Sequence, residues 1–430
     1  MSGPQTQGYT HLQIMYRILV NVEALNMVES IGNVTRRRTV PIIKPKGPGS
    51  YVIRWVPAVS GEALAHRYQL EVVELTKQSQ KCKDCVDYWS EKGEFLKHFD
   101  LRFYAQQCQQ KDKPKDWECI LAQQIEQQVK QPGAQQKTQK LTLREIQFIE
   151  MMIVTNSVVE DIGGFMVEQG PTRRTSCVRF SYLIPTFDAL EVTQLDHQMH
   201  VRSALKAETL RIKVDGREVT VQIPYYVQVT SAVYGGNIEV DLCCIGCYSN
   251  INGFVDDADN LFQQLVEDPS CKMCKDVYNS YKGLASSTCL QCSSYERRRI
   301  GLESLRPILE GDFGAKRSRY NPHGVPEIAI AVLSTKPIPT PPATLPLESL
   351  LEAVKSKVEA YKSLNVNSEV LVYITKDLGN NVHERLEQMV KDKLKVKDDQ
   401  IASTIPEFIK KIVDKMDLKC SGTKATGDSS

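Results

Sequence analysis

Four cysteines stand in two identical spacings, Cys271-x-x-Cys274 and Cys289-x-x-Cys292, with fourteen residues between the pairs. Each CxxC turn can grip one side of a tetrahedral ion, and two turns close a four-thiolate zinc site of the structural kind. Thiols inside a cell normally stay reduced, which puts metal before disulfide; hyperthermophiles are the exception. Cys82, Cys85, Cys108 and Cys119 form a second candidate group at looser spacing, and the run Cys243, Cys244, Cys247 reads as buried cysteines of a strand.

The other chemistry is cationic. IGNVTRRRTVP sets Arg36, Arg37 and Arg38 beside Asn33 and Thr35, and GPTRRTS places Arg173 and Arg174 before Thr175 and Ser176. GDFGAKRSRYNP puts Gly311 and Gly314 ahead of Lys316, Arg317, Arg319 and Tyr320. A planar guanidinium makes paired, charge-assisted bonds to phosphate. Glycines let backbone amides approach a phosphate, and an aromatic ring can stack on a base. Taken singly, each segment reads equally well as a solvated charged loop. No GxxxxGK[ST] spacing occurs in GDFGAKRSRYNP, which excludes nucleotide hydrolysis by that route. His66 and His200 are the histidines to consider as general bases, but no acid is spaced to orient either one. No Ser-His-Asp or Cys-His order stands out.

The formal net charge is only +2 and the sequence pI about 7.9, whereas a nucleic-acid-binding domain is often above about 9. Segregation offsets the average: arginines gather at 36–38, 173–174, 297–299 and 316–319, acids at Glu160/Asp161 and Asp256–Asp259. A neutral total can hide one basic face. With 430 residues, 41% hydrophobic and 25% charged, the chain suits one elaborated globular domain or two modest ones. The longest apolar run, Ile328–Leu333, is too short to span a bilayer. The start, MSGPQTQGYTHLQ, has no signal-peptide pattern. The expectation is a cytoplasmic protein without a membrane segment.

Several elements must position these groups. Ile14, Tyr16, Ile18, Val20 and Val22 alternate with Met15, Arg17, Leu19 and Asn21, a strand whose second face is partly polar. Ser60 stands at a cap position before GEALAHRYQLEVVEL, where Leu64, Tyr68, Val72 and Leu75 make a helical apolar stripe. A further helix is predicted from Leu141 to Val159. DIGGFMVEQGPTRRTS then reads as a hairpin or protruding loop, and Asp215-Gly216 as a hairpin turn. VQVTSAVYGGNIEVDL continues the sheet. ERRRIGLESLRPILE is helical and EIAIAVLS a strand. A helix, a strand and a helix follow the proline-rich connector at 336–346, with a C-terminal helix and disordered tail over 391–430. Residues 78–140 (Gln- and Cys-rich) and 243–293 (Cys-rich) look like insertions. No internal repeat is present.

Taken in order, RILVNVEALNMVESIGNVTRRRTVPII, VPAVSGEALAHRYQ, DIGGFMVEQGPTRRTS, His200-Val201-Arg202 and FGAKRSRYNP resemble the archaeal type I-A CRISPR Cascade backbone subunit, of the DevR-type RAMP family. The resemblance covers most of residues 12–75, 145–250 and 295–390. It implies an α+β fold: a modified RRM, ferredoxin-like palm over 12–77 and 141–390, with inserted finger and thumb elements. It further implies copies stacked head to tail in a helical filament along a CRISPR RNA (crRNA). These would hold its phosphates and splay its bases to pair with a target DNA strand. Other Cascade subunits and helicase and nuclease subunits would be partners, and the chain itself no enzyme. Carried over by position, the RNA contacts are Asn33, Arg36, Arg38, His66, Arg173, Arg174, His200, Arg202, Lys316, Arg317 and Arg319. The aromatic signature of the RRM is missing, which argues against base stacking on the sheet face. Two alternatives stay open: a metal-assisted CRISPR ribonuclease using Asp161, and a zinc-stabilised transcriptional regulator.

Overall fold

A computed structural model describes residues 8–25, 27–31, 34–95, 98–99, 106–110, 115–129, 141–167, 172–202, 211–214, 217–220, 223–250, 253–255, 258–282, 289, 291–314 and 323–420. The first strands are β1 (His11–Glu23), β2 (Met27–Ile31), β3 (Val34–Arg37), β4 (Thr39–Gly47) and β5 (Ser50–Pro57). Helices α1 (Gly61–Gln78), α2 (Asp116–Val129) and α3 (Leu143–Asn156) come next. After them run β6 (Phe165–Val167), β7 (Thr172–Arg174), β8 (Val178–Phe180), β9 (Gln194–Arg202) and the long β10 (Ile223–Asp241). Helices α4 (Ala258–Glu267), α5 (Lys272–Lys282) and α6 (Ser294–Glu303) lead to β11 (His323–Ser334). The chain closes with α7 (Leu347–Lys362), β12 (Ser368–Ile374), α8 (Asn380–Leu394), β13 (Ile401–Ala402) and α9 (Ile405–Lys415).

The fold is α+β around one mixed sheet, ordered β13-β12-β11-β1-β10-β3-β2. β1 sits between β10 and β11 and is antiparallel to both, with Ile14 opposite Ile238 and Ala331. Its second face is partly polar, as the sequence implies, yet mostly buried: Met15 and Arg17 are buried along with Leu12, Ile14, Tyr16 and Ile18, while Asn21 is exposed. Both faces are covered. Leu64 and Tyr68 of α1, Ile300 of α6 and Phe408 of α9 pack on one side. Leu350 and Val354 of α7 and Leu386 and Val390 of α8 pack on the other. Arg17 survives burial because Asp188 and Glu327 each take its guanidinium at 2.9 Å. The capping residue of α1 is as the sequence implies: Ser60 Oγ accepts the Ala63 N–H.

β1 breaks register between Val20 and Glu23. Val22 takes φ of 48° there, a left-handed conformation that β-branched residues rarely adopt. Its N–H donates to Ser231 Oγ at 3.0 Å. Beyond this bulge β3 takes over the vacated edge of β10, running parallel with Val34 opposite Tyr226.

A second core lies apart from the sheet. Trp117, Leu121 and Ile125 of α2 meet Phe148, Ile149 and Met152 of α3, Phe165 and Val167 of β6, Leu265 of α4, and Met273 and Val277 of α5. The two segments that read as separate insertions therefore share one hydrophobic interior. Neither carries enough apolar surface to close a core alone. Thr142 and Glu145 form a reciprocal capping box that starts α3. No helix among the described residues is long and apolar enough to cross a membrane.

Candidate nucleic-acid interface

The triple arginine run lies on and just after β3, and strand alternation sorts it. Arg37 points inward, paired with the Glu23 carboxylate and donating to the Tyr234 hydroxyl at 2.9 Å. Tyr234 donates onward to Glu23 at 2.6 Å. Burial first, and then the Glu23 charge, hold that hydroxyl well above its usual range, so it stays a donor. Arg36 consequently faces solvent. Arg38 is half-buried; it donates to the Tyr182 hydroxyl at 3.5 Å, and its carbonyl accepts the Ala58 N–H ahead of α1.

His200 and Arg202 lie on β9, opposite Tyr225 and Ile223 of β10. The first half of β10 thus has β9 on one edge and β3 on the other, about 10 Å apart across three strands. In that register Arg36 stands level with Gln228, whose other neighbour is His197. Gln228 accepts the Arg37 N–H at 3.1 Å, and its Nε2 lies 3.0 Å from His197 Nε2. His197 is exposed and was not singled out from sequence.

Helix α1 gathers three of the other predicted segments. His66 is exposed on it, edge-on to Phe95 with ring centroids 5.0 Å apart. Partial burial lowers its pKa, against the opposing pull of Glu94. Next along, Arg67 bonds Glu71 at 3.1 Å and Asp312 at 3.0 Å. Asp312 opens the glycine-rich segment. At Gly314 a Cβ would lie 2.5 Å from that of Arg67, so only glycine lets the loop sit here. Lys316, Arg317 and Arg319 beyond it, and Asn33 beside β3, lie outside the described residues. At the start of the 165–174 hairpin, Gly163 rests on the Gln69 side chain of α1.

That hairpin corrects one assignment. β6 and β7 pair antiparallel as the sequence implies, with Met166 opposite Arg173. Arg173 is exposed, but Arg174 is buried. Its guanidinium donates to Asp161 Oδ1 (2.6 Å), Glu150 (3.2 Å) and the carbonyls of Asp161, Cys244 and Cys247. Arg297 binds the other Asp161 oxygen at 3.1 Å, and the Gly246 N–H donates to the same atom at 2.9 Å. Arg174 is an internal tie and is not available to RNA. Adjacent residues on a strand face opposite ways, so one of the pair had to turn in. Arg297 and Arg298 are likewise buried, and Arg299 is held by Glu296 and Glu303. The ERRR cluster is therefore no part of a basic surface. Asp161, fully buried between two guanidiniums, has no access to a substrate.

The predicted zinc quartet is not brought together. Cys271 pairs with Cys274 at the start of α5 in the second core, while Cys289 and Cys292 lie in the first core against Cys85 and Cys82. Cys108 pairs with Cys119, Cys177 with Cys244 and Cys243 with Cys420, leaving Cys247 buried outside any disulfide, its sulfur accepting from Arg298 at 3.2 Å. With the cysteines so paired, no group of three or more His, Cys, Asp or Glu among the described residues is set to hold a metal ion.

One surface went unread. β4 and β5 form a hairpin in which Pro41, Ile43 and Pro45 oppose Trp55, Ile53 and Tyr51. The reverse face is anchored, Ile42 and Val56 packing on Leu190. The first face is open, with Trp55 70% exposed and Ile43, Tyr51 and Ile53 nearly as much. Lys44 and Arg54 lie on the reverse face, both near Glu191. The signal was there in KPKGPG between two alternating runs, though proline within a run argues against a strand.

The molecule is thus a mixed-sheet α+β protein in which sequence-distant segments meet at one helix and along one arm of the sheet, with Arg36 and Arg173 exposed on short strands. The profile of the family described as "CRISPR-associated negative auto-regulator DevR/Csa2" matches residues 14–355, and the chain belongs to that family. Two proteins of Saccharolobus solfataricus are similar over long stretches. "CRISPR-associated protein Cas7/Csa2 1" is 28% identical over 372 residues, 85% of this chain and 93% of that one. "CRISPR-associated aCascade subunit Cas7/Csa2 2" is 30% identical over 308 residues, 71% of this chain and 74% of that one. A chain of a solved "CRISPR RNA-guided surveillance complex, pre-nicking" aligns with TM-score 0.46 at 11% identity, covering 94% of this chain and 99% of that one.

Proposed function

We propose that the chain is a guide-RNA-binding backbone subunit of a CRISPR interference complex that targets foreign DNA, and that it binds RNA without cutting it. The observation that carries this is convergence: segments far apart in sequence, around residues 163 and 312–314, meet on α1, which itself carries His66. Arg36 and Arg173, far apart in the chain, each face outward from a short strand, β3 and β7. A sugar-phosphate chain is the ligand that such dispersed, outward guanidiniums fit, since each phosphate needs only one cation and no base need be read. The antiparallel core β12-β11-β1-β10 is read as an RRM-like palm, with the β4–β5 and β6–β7 hairpins as its projections. The open apolar face at Trp55 suits the next copy of the chain in a head-to-tail filament. Target DNA would pair with the held crRNA, and cleavage would fall to helicase and nuclease partners in the cytoplasm. One relative's description as a subunit of aCascade agrees with this. Asp161, locked in a structural ion pair, is a poor candidate for metal-assisted cleavage.

The test is incubation of the purified chain with labelled guide RNA, with and without Mg²⁺. The RNA should stay intact, with evenly spaced protection and an affinity that falls steeply with salt. Arg36→Ala and Arg173→Ala should each lower the slope of log affinity against log salt by about 0.7, one phosphate contact on a single strand. Clean Mg²⁺-dependent cleavage, or slopes untouched by both substitutions, would overturn the proposal.

A further inference from the structure

Two CxxC turns separated by about half the chain face each other in the first core. The Cys85 N–H donates to the Cys82 carbonyl at 2.8 Å, and the Cys292 N–H to the Cys289 carbonyl at 3.2 Å, so both pairs adopt the same tight turn. They meet crosswise: Cys82 against Cys292 and Cys85 against Cys289, with Cα–Cα distances of 4.8 and 5.4 Å. The two crossed turns thus hold four sulfurs in two neighbouring links. All four cysteines are buried among apolar side chains. The other paired cysteines do not share this arrangement. Cys271 and Cys274 form a single knuckle with no second turn opposite, and Cys108 and Cys119 are eleven positions apart.

We propose that the reduced chain holds one structural zinc ion on Cys82, Cys85, Cys289 and Cys292. The structure joins these sulfurs as two crossed disulfides, and the same placement with free thiols presents four thiolates. A tetrahedral ion at about 2.3 Å from each sulfur sets neighbouring sulfurs about 3.8 Å apart, a separation side-chain rotation about Cα–Cβ can supply. Four buried thiolates around a dication leave two net negative charges, which need nearby compensation. Part of it comes from a helix end, and Arg297 Nε, donating to the Cys292 carbonyl at 3.1 Å, fixes the turn there. Helix α6 begins directly after Cys292, capped by Ser293, and its positive N-terminal end favours thiolate. The site closes on four protein ligands with no open position, so its role is to join the two insertions at their roots.

The test starts from protein purified with a strong reductant throughout. Elemental analysis should give one zinc per chain. Cys82→Ser/Cys85→Ser and Cys289→Ser/Cys292→Ser should each lose it at least tenfold, and Cys271→Ser/Cys274→Ser should keep it. Because a misfolded variant also loses metal, wild-type protein supplies a second measurement. Alkylation by N-ethylmaleimide before and after chelation, mapped by mass spectrometry, should show Cys82, Cys85, Cys289 and Cys292 becoming reactive together. Cobalt(II) added alone to the stripped chain should give the intense absorption of a four-thiolate site. Zinc-free reduced protein, or metal that follows Cys271 and Cys274, would overturn the assignment.

Discussion

Replacing Asp161 by asparagine removes one negative charge from a fully buried carboxylate held by two guanidiniums and a backbone N–H, and changes its volume hardly at all. The native carboxylate takes Arg174 on one oxygen at 2.6 Å, and Arg297 and the Gly246 N–H on the other at 3.1 and 2.9 Å. In Asp161→Asn the amide NH₂ must point at a donor on one of those sides. Arg174 keeps Glu150 at 3.2 Å. Arg297 keeps the carbonyls of Val154, Thr155 and Cys292 but loses its carboxylate. Breaking a buried ion pair costs about 3–5 kcal/mol, because a desolvated charge is stranded. The partial compensation left to both arginines places Asp161→Asn toward the lower end, about 3 kcal/mol. Urea unfolding followed by circular dichroism measures this, alongside RNA affinity of the folded protein without denaturant. Stability should fall while affinity holds. A loss under about 1 kcal/mol would refute the structural role. Unchanged stability with abolished RNA cleavage would make Asp161 catalytic and sink the binding-only account.

Two further perturbations probe the interior. Glu118, in the first turn of α2, accepts the Lys115 N–H with one oxygen, while the other is buried without a partner. Burial first, and Asp87 second, push its carboxyl well above the usual range. The folded chain therefore binds this proton more readily than the unfolded chain. The group's stabilising contribution is complete below its unfolded pKa and is lost as pH rises through the raised, folded value. Glu118→Gln should gain on wild type in urea midpoint between about pH 5 and pH 8; a pH-independent difference would rule this out. Val22→Gly should raise stability by roughly 1 kcal/mol by freeing the left-handed position from its Cβ, whereas Val20→Gly, buried two residues earlier, should cost about 2 kcal/mol or more. Destabilisation by Val22→Gly would show that the bulge needs the valine.

Where a residue's surroundings are set by its own segment, the sequence was a good guide. The Ser60 cap and the Leu64-Tyr68-Val72 stripe form α1 as read, and β6 and β7 pair antiparallel as the hairpin reading implies. Alternation on β1 marked the strand and its partly polar second face but could not show that Arg17 is buried, because its partners Asp188 and Glu327 lie 171 and 310 residues away. The same limit explains Arg174. Two neighbouring arginines cannot both face out from a strand, yet only the distant Asp161–Arg297 pair decides which turns in. Cysteine spacing picked out the CxxC turns but not which of them meet, since Cys82 and Cys85 lie some two hundred positions from the knuckle they face. Lys316, Arg317 and Arg319 stay where the sequence left them, as expectations.

The central position of β1 has a consequence for how the protein is made. It is the first strand to leave the ribosome, yet one neighbour is β10 and the other, β11, begins only at His323. At about 5–20 residues per second, the nascent chain waits roughly 15–60 s between finishing β1 and starting β11. Throughout that interval an apolar strand has at least one bare edge, able to pair with another chain emerging from the same message. Synthesis near a chaperone, or prompt capture by a partner, would matter more for this subunit than for one whose sheet is laid down in sequence order.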